Sequence, residues 1–446
     1  MTVTLPHHQG NRRLTRNRRG GVLAIVVWGI ALLSIVVAAT QIVTFRTAAM
    51  GAKNLERVQA RWAARAGVEQ VIAVLGAEAE DPNTTDAIAL TRTLEDVAQG
   101  QIETGSWSIS HVLEGVEYLG PMDESAKLNI NSLVSTDYEL LELEGMSLDV
   151  IDAIVDWRDE DDEVSLMGAE EDFYLNRNLA YTPRNADVKS LAELELVAGV
   201  WPEDLRGGDH RLTNSFDPNE TISGWGEYLT AYTYSTGALQ TGEPKFRIDG
   251  AETEDVAAYF GISNQQATEL LEFSTSSENV QLESLIAQNI GGSANSSGLP
   301  SRRTGRSSAG SNSDSAMPFT DEQYRVILDE GWIGELTERR PGRINVNTAT
   351  QKALEVVFSF DPSLAEDVIS LRNSRSGGIT SIMDLLEAGR ITPELLGAVG
   401  HRLTTQGTVF SITSRGTSQF GDIETAMFVV VDRSTLPIQI MEYREE

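Results

Sequence analysis

The sequence predicts an α+β fold: a long N-terminal transmembrane and stem helix, a small antiparallel sheet, and an all-α domain inserted between its strands. Three observations predict it. A charge-free apolar run near the N-terminus passes directly into helical periodicity. Strand-like alternation occurs around Trp107–Val112 and again from Phe410 to Ile440. Between these, one helical pattern occurs twice, its opening Asn pairs 216 residues apart. Composition narrows the function. The 446 residues carry 35 Lys+Arg against 66 Asp+Glu, a net charge of −31, and no cysteine. Disulfides, thiolate metal centres and cysteine nucleophiles are excluded. So acidic a chain lacks the basic face that phosphate binding needs, and no nucleic acid is expected as a partner. Among His7, His8, His111, His210 and His401 only the adjacent N-terminal pair is close in sequence, which argues against a zinc hydrolase.

Residues 1–21 hold five arginines and no acid, and residues 20–45 follow with 26 positions free of charge. A helix of that length rises about 39 Å, more than the roughly 30 Å hydrocarbon core. The arginines hold their end in the cytoplasm and leave the bulk of the chain across the membrane. A cleaved secretory signal fits less well, because no small-residue cleavage site ends the run. Leu55, Val58, Trp62 and Ala66, then Val68, Ile72 and Leu75, continue at helical spacing, and no proline occurs between residue 20 and Pro82. One helix therefore spans about residues 22–79, apolar in its first half and amphipathic in its second.

A basic leader ending in glycine, followed by an apolar helix that becomes a stem, resembles the type IV pilin-like proteins. The resemblance implies cleavage by a prepilin peptidase between Gly21 and Val22. Most members carry Glu at the fifth mature position; here Val26 stands there. A carboxylate in lipid costs about 2.5–3.5 kcal/mol on insertion scales unless paired. In the family that Glu pairs with a neighbouring subunit's amine, so a subunit with no neighbour above it has no use for the group. An apolar fifth position is typical of the minor pseudopilin K family of type II secretion systems (general secretion pathway protein K), which this chain resembles.

The internal repeat is the next feature. Asn129 and Asn131 in AKLNINS match Asn345 and Asn347 in GRINVNT. Arg158, Ser190 and Pro202 match Arg372, Ser381 and Pro393 in the same order. Each copy resembles a helix-hairpin-helix unit, with an N-x-N start and a second helix ending in Arg. The hairpin glycines that would cradle a phosphate are mostly missing, and Asp361 stands in one hairpin. A structural or protein-docking role is the expectation.

Between the copies, residues 156–172 gather Asp156, Asp159, Glu160, Asp161, Asp162, Glu163, Glu170, Glu171 and Asp172 around a single base, Arg158. Two readings stand: a solvated acidic loop, or hard oxygen ligands for Ca²⁺. The order is not that of an EF-hand. The stretch Trp157-Arg158-Asp159, then Gly168-Ala169-Glu170 and Tyr174, resembles the calcium-binding stretch of the protein K family. The resemblance implies a structural Ca²⁺ held by ligands drawn from Asp156, Asp159, Asp161, Glu163, Glu170, Glu171 and Asp172. Paired carboxylates also serve glycosidases, but Trp157 and Tyr174 suit core packing equally, and no catalytic residue is assigned.

The expected organisation is a leader (1–21), the transmembrane and stem helix (22–80), a first pilin-domain part (81–122), and the inserted helical domain with repeat 1 and the acidic loop (123–235). An elaboration with a Gly/Ser-rich linker follows (236–342), then repeat 2 (343–404) and three closing strands (405–446). Residues 224–236 read as a strand, and residues 291–316, with 14 Gly or Ser in 26 positions, as the linker. The resemblance implies a non-enzymatic subunit at the tip of a periplasmic pseudopilus, inserted in the inner membrane with its N-terminus cytoplasmic. Its implied partners are the other minor pseudopilins, the major pseudopilin and the prepilin peptidase. Docking is expected through the helix face bearing Leu55, Val58 and Trp62. A minor pilin of a type IV pilus or DNA-uptake machine, a membrane-anchored DNA-binding protein and a membrane-anchored hydrolase are the alternatives.

Overall fold

The computed structural model describes residues 19–209, 221–290 and 319–445, except positions 84, 114–115, 135, 138–139, 142, 144, 178, 223, 240, 278–279, 360, 420–422 and 436. The basic leader up to residue 18 and the Gly/Ser-rich stretch 291–316 lie outside the described residues.

Helix α1 (Arg19–Glu80) runs unbroken for 62 residues, about 93 Å at 1.5 Å per residue. Nothing covers residues 21–55. From Ala60 onward the helix lies on a sheet, burying Ala60, Ala63, Ala64, Val68, Val71 and Leu75. Small residues let the backbones approach. A Cβ on Gly416 would sit 2.1 Å from the Ala60 carbonyl oxygen, and one on Gly67 would sit 2.6 Å from the Trp107 ring. The Ser414 hydroxyl uses that closeness to donate to the Ala64 carbonyl at 2.8 Å.

The sheet is divided in sequence. Its first strands are β1 (Gln99–Ile102), β2 (Gly105–Leu113), β3 (Val116–Leu119) and β4 (Met122–Asp123). The chain then leaves for the helical part, starting with β5 (Leu128–Asn129). Helix α2 (Leu148–Arg158), helix α3 (Glu171–Asn176) and strand β6 (Leu229–Thr230) complete the first copy of the repeat. Strand β7 (Ile344–Asn345), helix α4 (Gln351–Val357), helix α5 (Ser363–Ser374) and strand β8 (Leu403–Thr404) form the second. The chain returns to the sheet as β9 (Val409–Ser418), β10 (Glu424–Asp432) and β11 (Gln439–Glu445). The order is β1-β2-β9-β10-β11, with β3 on β2 and β4 on β9, all antiparallel. Ser414 lies opposite Ile109, and Ile412 opposite Val429.

The two copies share a polar skeleton. Each opens with a short parallel pair, β5 with β6 and β7 with β8. The Asn129 side-chain oxygen accepts from the Asn131 N–H at 2.7 Å, and Asn345 does the same for Asn347 at 3.0 Å. Asn131 exchanges two hydrogen bonds with the Val188 backbone, as Asn347 does with Ile379. Arg158 donates to the Ile130 and Leu133 carbonyls; Arg372 donates to those of Val346 and Ala349. Turns otherwise short of intrasegment partners are thus satisfied from the end of the following helix. The copies differ ahead of that helix. The second has α4 and α5 joined by a short turn, whereas the described residues 137–146 of the first make single turns instead of a helix.

Residues 224–236 do not form the expected strand. Gly224 packs on the backbone of Arg206 and Gly207 with no room for a Cβ. The chain there makes a 3-10 turn at Trp225–Glu227 that buries Trp225, then the two-residue strand β6 and another at Tyr234–Ser235. Helices at Thr253–Phe260, Asn264–Ser274 and Asp321–Glu330 build the elaboration between the copies.

Two apolar cores result. One joins Val68, Val71 and Leu75 of α1 to Ile109, Ile412 and Val429 of the sheet. The other is the interior of the helical part, around Trp157, Tyr174, Trp225 and Phe358. A buried polar layer ties them together. Asp123 accepts from Asn345 at 2.8 Å and Thr348 at 2.7 Å; Glu124 accepts from Thr230 at 2.6 Å and Ser411 at 2.5 Å. The Tyr234 hydroxyl donates to Asp432, and that of Tyr232 to Glu442.

Candidate functional site

Two regions carry the chemistry expected of this chain: the outer face of α1 and the acidic loop after α2. On α1 the residues that meet the sheet and those that do not fall on opposite faces. Leu55, Val58 and Trp62 are 58%, 50% and 57% exposed, so the chain's own sheet leaves this stripe uncovered. Arg61, beside them, pairs with Glu445 of β11 at 2.6 Å. Nearer the N-terminus, Gly21, Val22 and Val26 stand on the bare part of the helix. Among the described residues α1 is the one helix long and apolar enough to cross a membrane.

The acidic loop is held from beneath by α2. Asp152 and Asp156 are one helical turn apart and face the loop. The Asp156 carboxylate, fully buried, accepts from the Ser165 N–H at 3.1 Å, and Asp152 from the Met167 N–H at 3.1 Å. A Cβ on Gly168 would lie 2.0 Å from Asp156 Oδ2, so only glycine lets the chain pass so close. Trp157, on the far side of the same helix, sits edge-on to Tyr174 and Tyr181 and donates to Glu193 at 3.1 Å.

Glu170 is the distinctive member. It is only 4% exposed, and among the described residues neither carboxylate oxygen has a partner in good hydrogen-bond geometry, the adjacent Glu171 N–H alone acting to lower its pKa. Burial, reinforced by the nearby charges of Asp156, Asp159 and Asp162, pushes its carboxyl up to about 7. Asp159 is raised as well, by burial and by Asp161 and Asp156, and its buried Oδ1 lacks a partner. Asp156 and Asp159 both raise the Glu170 carboxyl, and Asp156 raises that of Asp159, so the three carboxylates share one region of negative potential. Asp161 bonds the Glu163 N–H at 2.8 Å within the loop. Glu163, Glu171 and Asp172 stay on the exposed surface. Among the described residues no three acidic or histidine side chains form a ready metal cage. Buried carboxylate oxygens without partners are costly unless the group is protonated or meets a cation.

Sequence reasoning missed Asp152 and Glu193. Both sit among acids that read as solvated. The available signal was spacing: Asp152 and Asp156 recur at i,i+4 on an otherwise apolar helix.

Residues 126–207, which contain α2, the acidic loop and α3, match the family model described as "Type II secretion system (T2SS), protein K". One chain of "The Crystal Structure of the GspK-GspI-GspJ complex from enterotoxigenic Escherichia coli Type 2 Secretion System" aligns over 90% of this chain and 99% of its own. Sequence identity is 11% and the TM-score 0.45. No curated protein sequence matches the chain.

Proposed function

We propose that this chain, whose residues 126–207 carry the protein K domain of type II secretion systems, is a minor pseudopilin at the tip of the periplasmic pseudopilus. The observation that carries the proposal is the union of that domain with α1 in one chain. A helix bare along residues 21–55 and sheet-packed beyond Ala60 is built to be held by a membrane first and by neighbouring stems later. The leader arginines keep the N-terminus cytoplasmic, so the chain is a single-pass inner-membrane protein with its bulk in the periplasm. The prepilin peptidase cuts between Gly21 and Val22. Val26 then suits a subunit with none above it, and the large helical part fits the end of a filament better than its shaft. Leu55, Val58 and Trp62 take the stems of other minor pseudopilins and, below them, the major pseudopilin. The role is structural and involves no catalysis.

The acidic loop takes one structural Ca²⁺ in this reading. Asp159 and Glu170, whose buried oxygens lack partners, with Asp156 beside them, supply hard oxygen ligands. The bound ion would offset their mutual repulsion and hold the loop on α2.

Intact mass and N-terminal sequencing of the chain from membranes, with and without the prepilin peptidase, test the assignment. A mature chain that begins at Val22 only when the peptidase is present is expected. A chain that keeps Met1, or is cut near residues 40–50, sinks it.

A further inference from the structure

The acidic loop presents an apolar tip that stands exposed among the described residues. Val164, Leu166 and Met167 are 61%, 97% and 53% exposed, three large apolar side chains within four positions. The Gly168 N–H donates to the Ser165 carbonyl at 3.1 Å, which makes Ser165–Gly168 a β-turn with Leu166 and Met167 at its corners. Turn corners ordinarily take Asn, Asp, Gly, Pro or Ser. This one is also pinned, because Asp156 and Asp152 grip the N–H groups of Ser165 and Met167 from consecutive turns of α2. A partner would meet an already ordered tip, which lowers the entropic cost of docking. Around the tip stand the exposed acids Glu160, Asp161, Asp162 and Glu163. An anionic bilayer or a second copy of so acidic a chain would be repelled. The complement is apolar at its centre and basic at its rim.

We propose that the Ser165–Gly168 turn is a docking finger, whose Leu166 and Met167 enter an apolar pocket rimmed by Lys and Arg on a different protein. The inference needs the fold of residues 126–207 but not the assembly proposed above.

A benzophenone amino acid at position 166 of the full-length chain, irradiated in native membranes, tests it. The same label at exposed Glu203 is the control. One discrete adduct to another protein is expected, mapping by mass spectrometry to an apolar patch flanked by Lys or Arg. Its yield should fall about tenfold or more when Met167→Asp removes the second apolar corner, and comparably when Asp162→Lys with Glu163→Lys reverses the rim. Yields are compared well below each variant's unfolding temperature, because Asp162 accepts from Asn185 at 3.3 Å and Met167 is half-buried. A yield no higher than from position 203 would overturn the proposal. So would adducts to lipid or to a second copy, adducts mapping to a polar or acidic surface, or a yield indifferent to the rim charges.

Discussion

Glu170 shows how one buried side chain couples the acidic loop to pH and, in the proposed reading, to calcium. With its carboxyl near 7 in the folded chain against about 4.5 when unfolded, the folded state binds the extra proton between those values. Stability from this group is therefore full below the lower value and is lost as pH rises through about 7. In chelator, the unfolding temperature should fall from pH 4.5 to pH 7.5, and added Ca²⁺ should remove most of that fall. Glu170→Gln should raise stability in chelator at pH 7.5 and reduce the calcium response; calorimetry reads both. An unchanged calcium response in Glu170→Gln would remove this residue from the ion site. Gly416 makes the opposite kind of demand. Gly416→Val would press a side chain into the Ala60 carbonyl, 2.1 Å from its Cβ, and should cost about 1–3 kcal/mol or more in chemical unfolding. The residue types at both sites were legible in the sequence, but their contexts were not. An acid in a run of nine acids reads as solvated, and burial of Glu170 follows from α2 and α3 folding over it. Gly416 reads as a turn glycine, whereas it is the point of closest approach of β9 to α1.

At the scale of elements, α1 and the repeat were the most legible parts. An uncharged run joined to a periodic one without proline leaves few alternatives to a single helix, and the observed bounds, Arg19–Glu80, lie close to those expected. The N-x-N pairs were visible as residues; their purpose appears in three dimensions, where each second Asn stitches the segment to a strand-like stretch some distance along the chain. Arg372→Ala should leave the Val346 and Ala349 carbonyls without that donor and cost about 1.5–3 kcal/mol. Arg158→Ala should cost a similar amount if the two skeletons are energetically equivalent. Denaturant midpoints of the two variants test the equivalence. The short parallel pairs, β5 with β6 and β7 with β8, left no trace in sequence, because two residues are too few to show alternation. The strand expected at 224–236 failed for a different reason: Gly224 packs on the backbone of Leu205, Arg206 and Gly207, and the chain turns there at Trp225–Glu227.

Across the whole molecule, the sheet core and the helical core are separate apolar units joined by buried polar contacts. That layer was invisible in the sequence, since its partners, such as Tyr234 with Asp432 and Ser411 with Glu124, are far apart along the chain. Asp123→Ala would leave Asn345 and Thr348 without their shared acceptor. Unfolding followed by near-ultraviolet circular dichroism and by Trp fluorescence should then give two midpoints where the parent gives one. A single coincident transition in the variant would show the cores to be coupled by other contacts.

The division of the sheet also sets an order of events during synthesis. Strands β1 to β4 are synthesised early, but β9, which lies beside β2 and covers the small-residue face of α1, arrives only after both copies of the repeat. Pairing across so long an open chain is entropically slow. Residue 123 and residues 410–411 meet in the finished fold, so a helical part that folds first brings the ends together and turns a distant encounter into a local one. The rate at which α1 acquires its sheet should therefore follow the folding rate of the helical part. A slow variant within the repeat would prolong the time that Ala60, Ala64 and Val68 stand uncovered, open to contacts other than their own sheet.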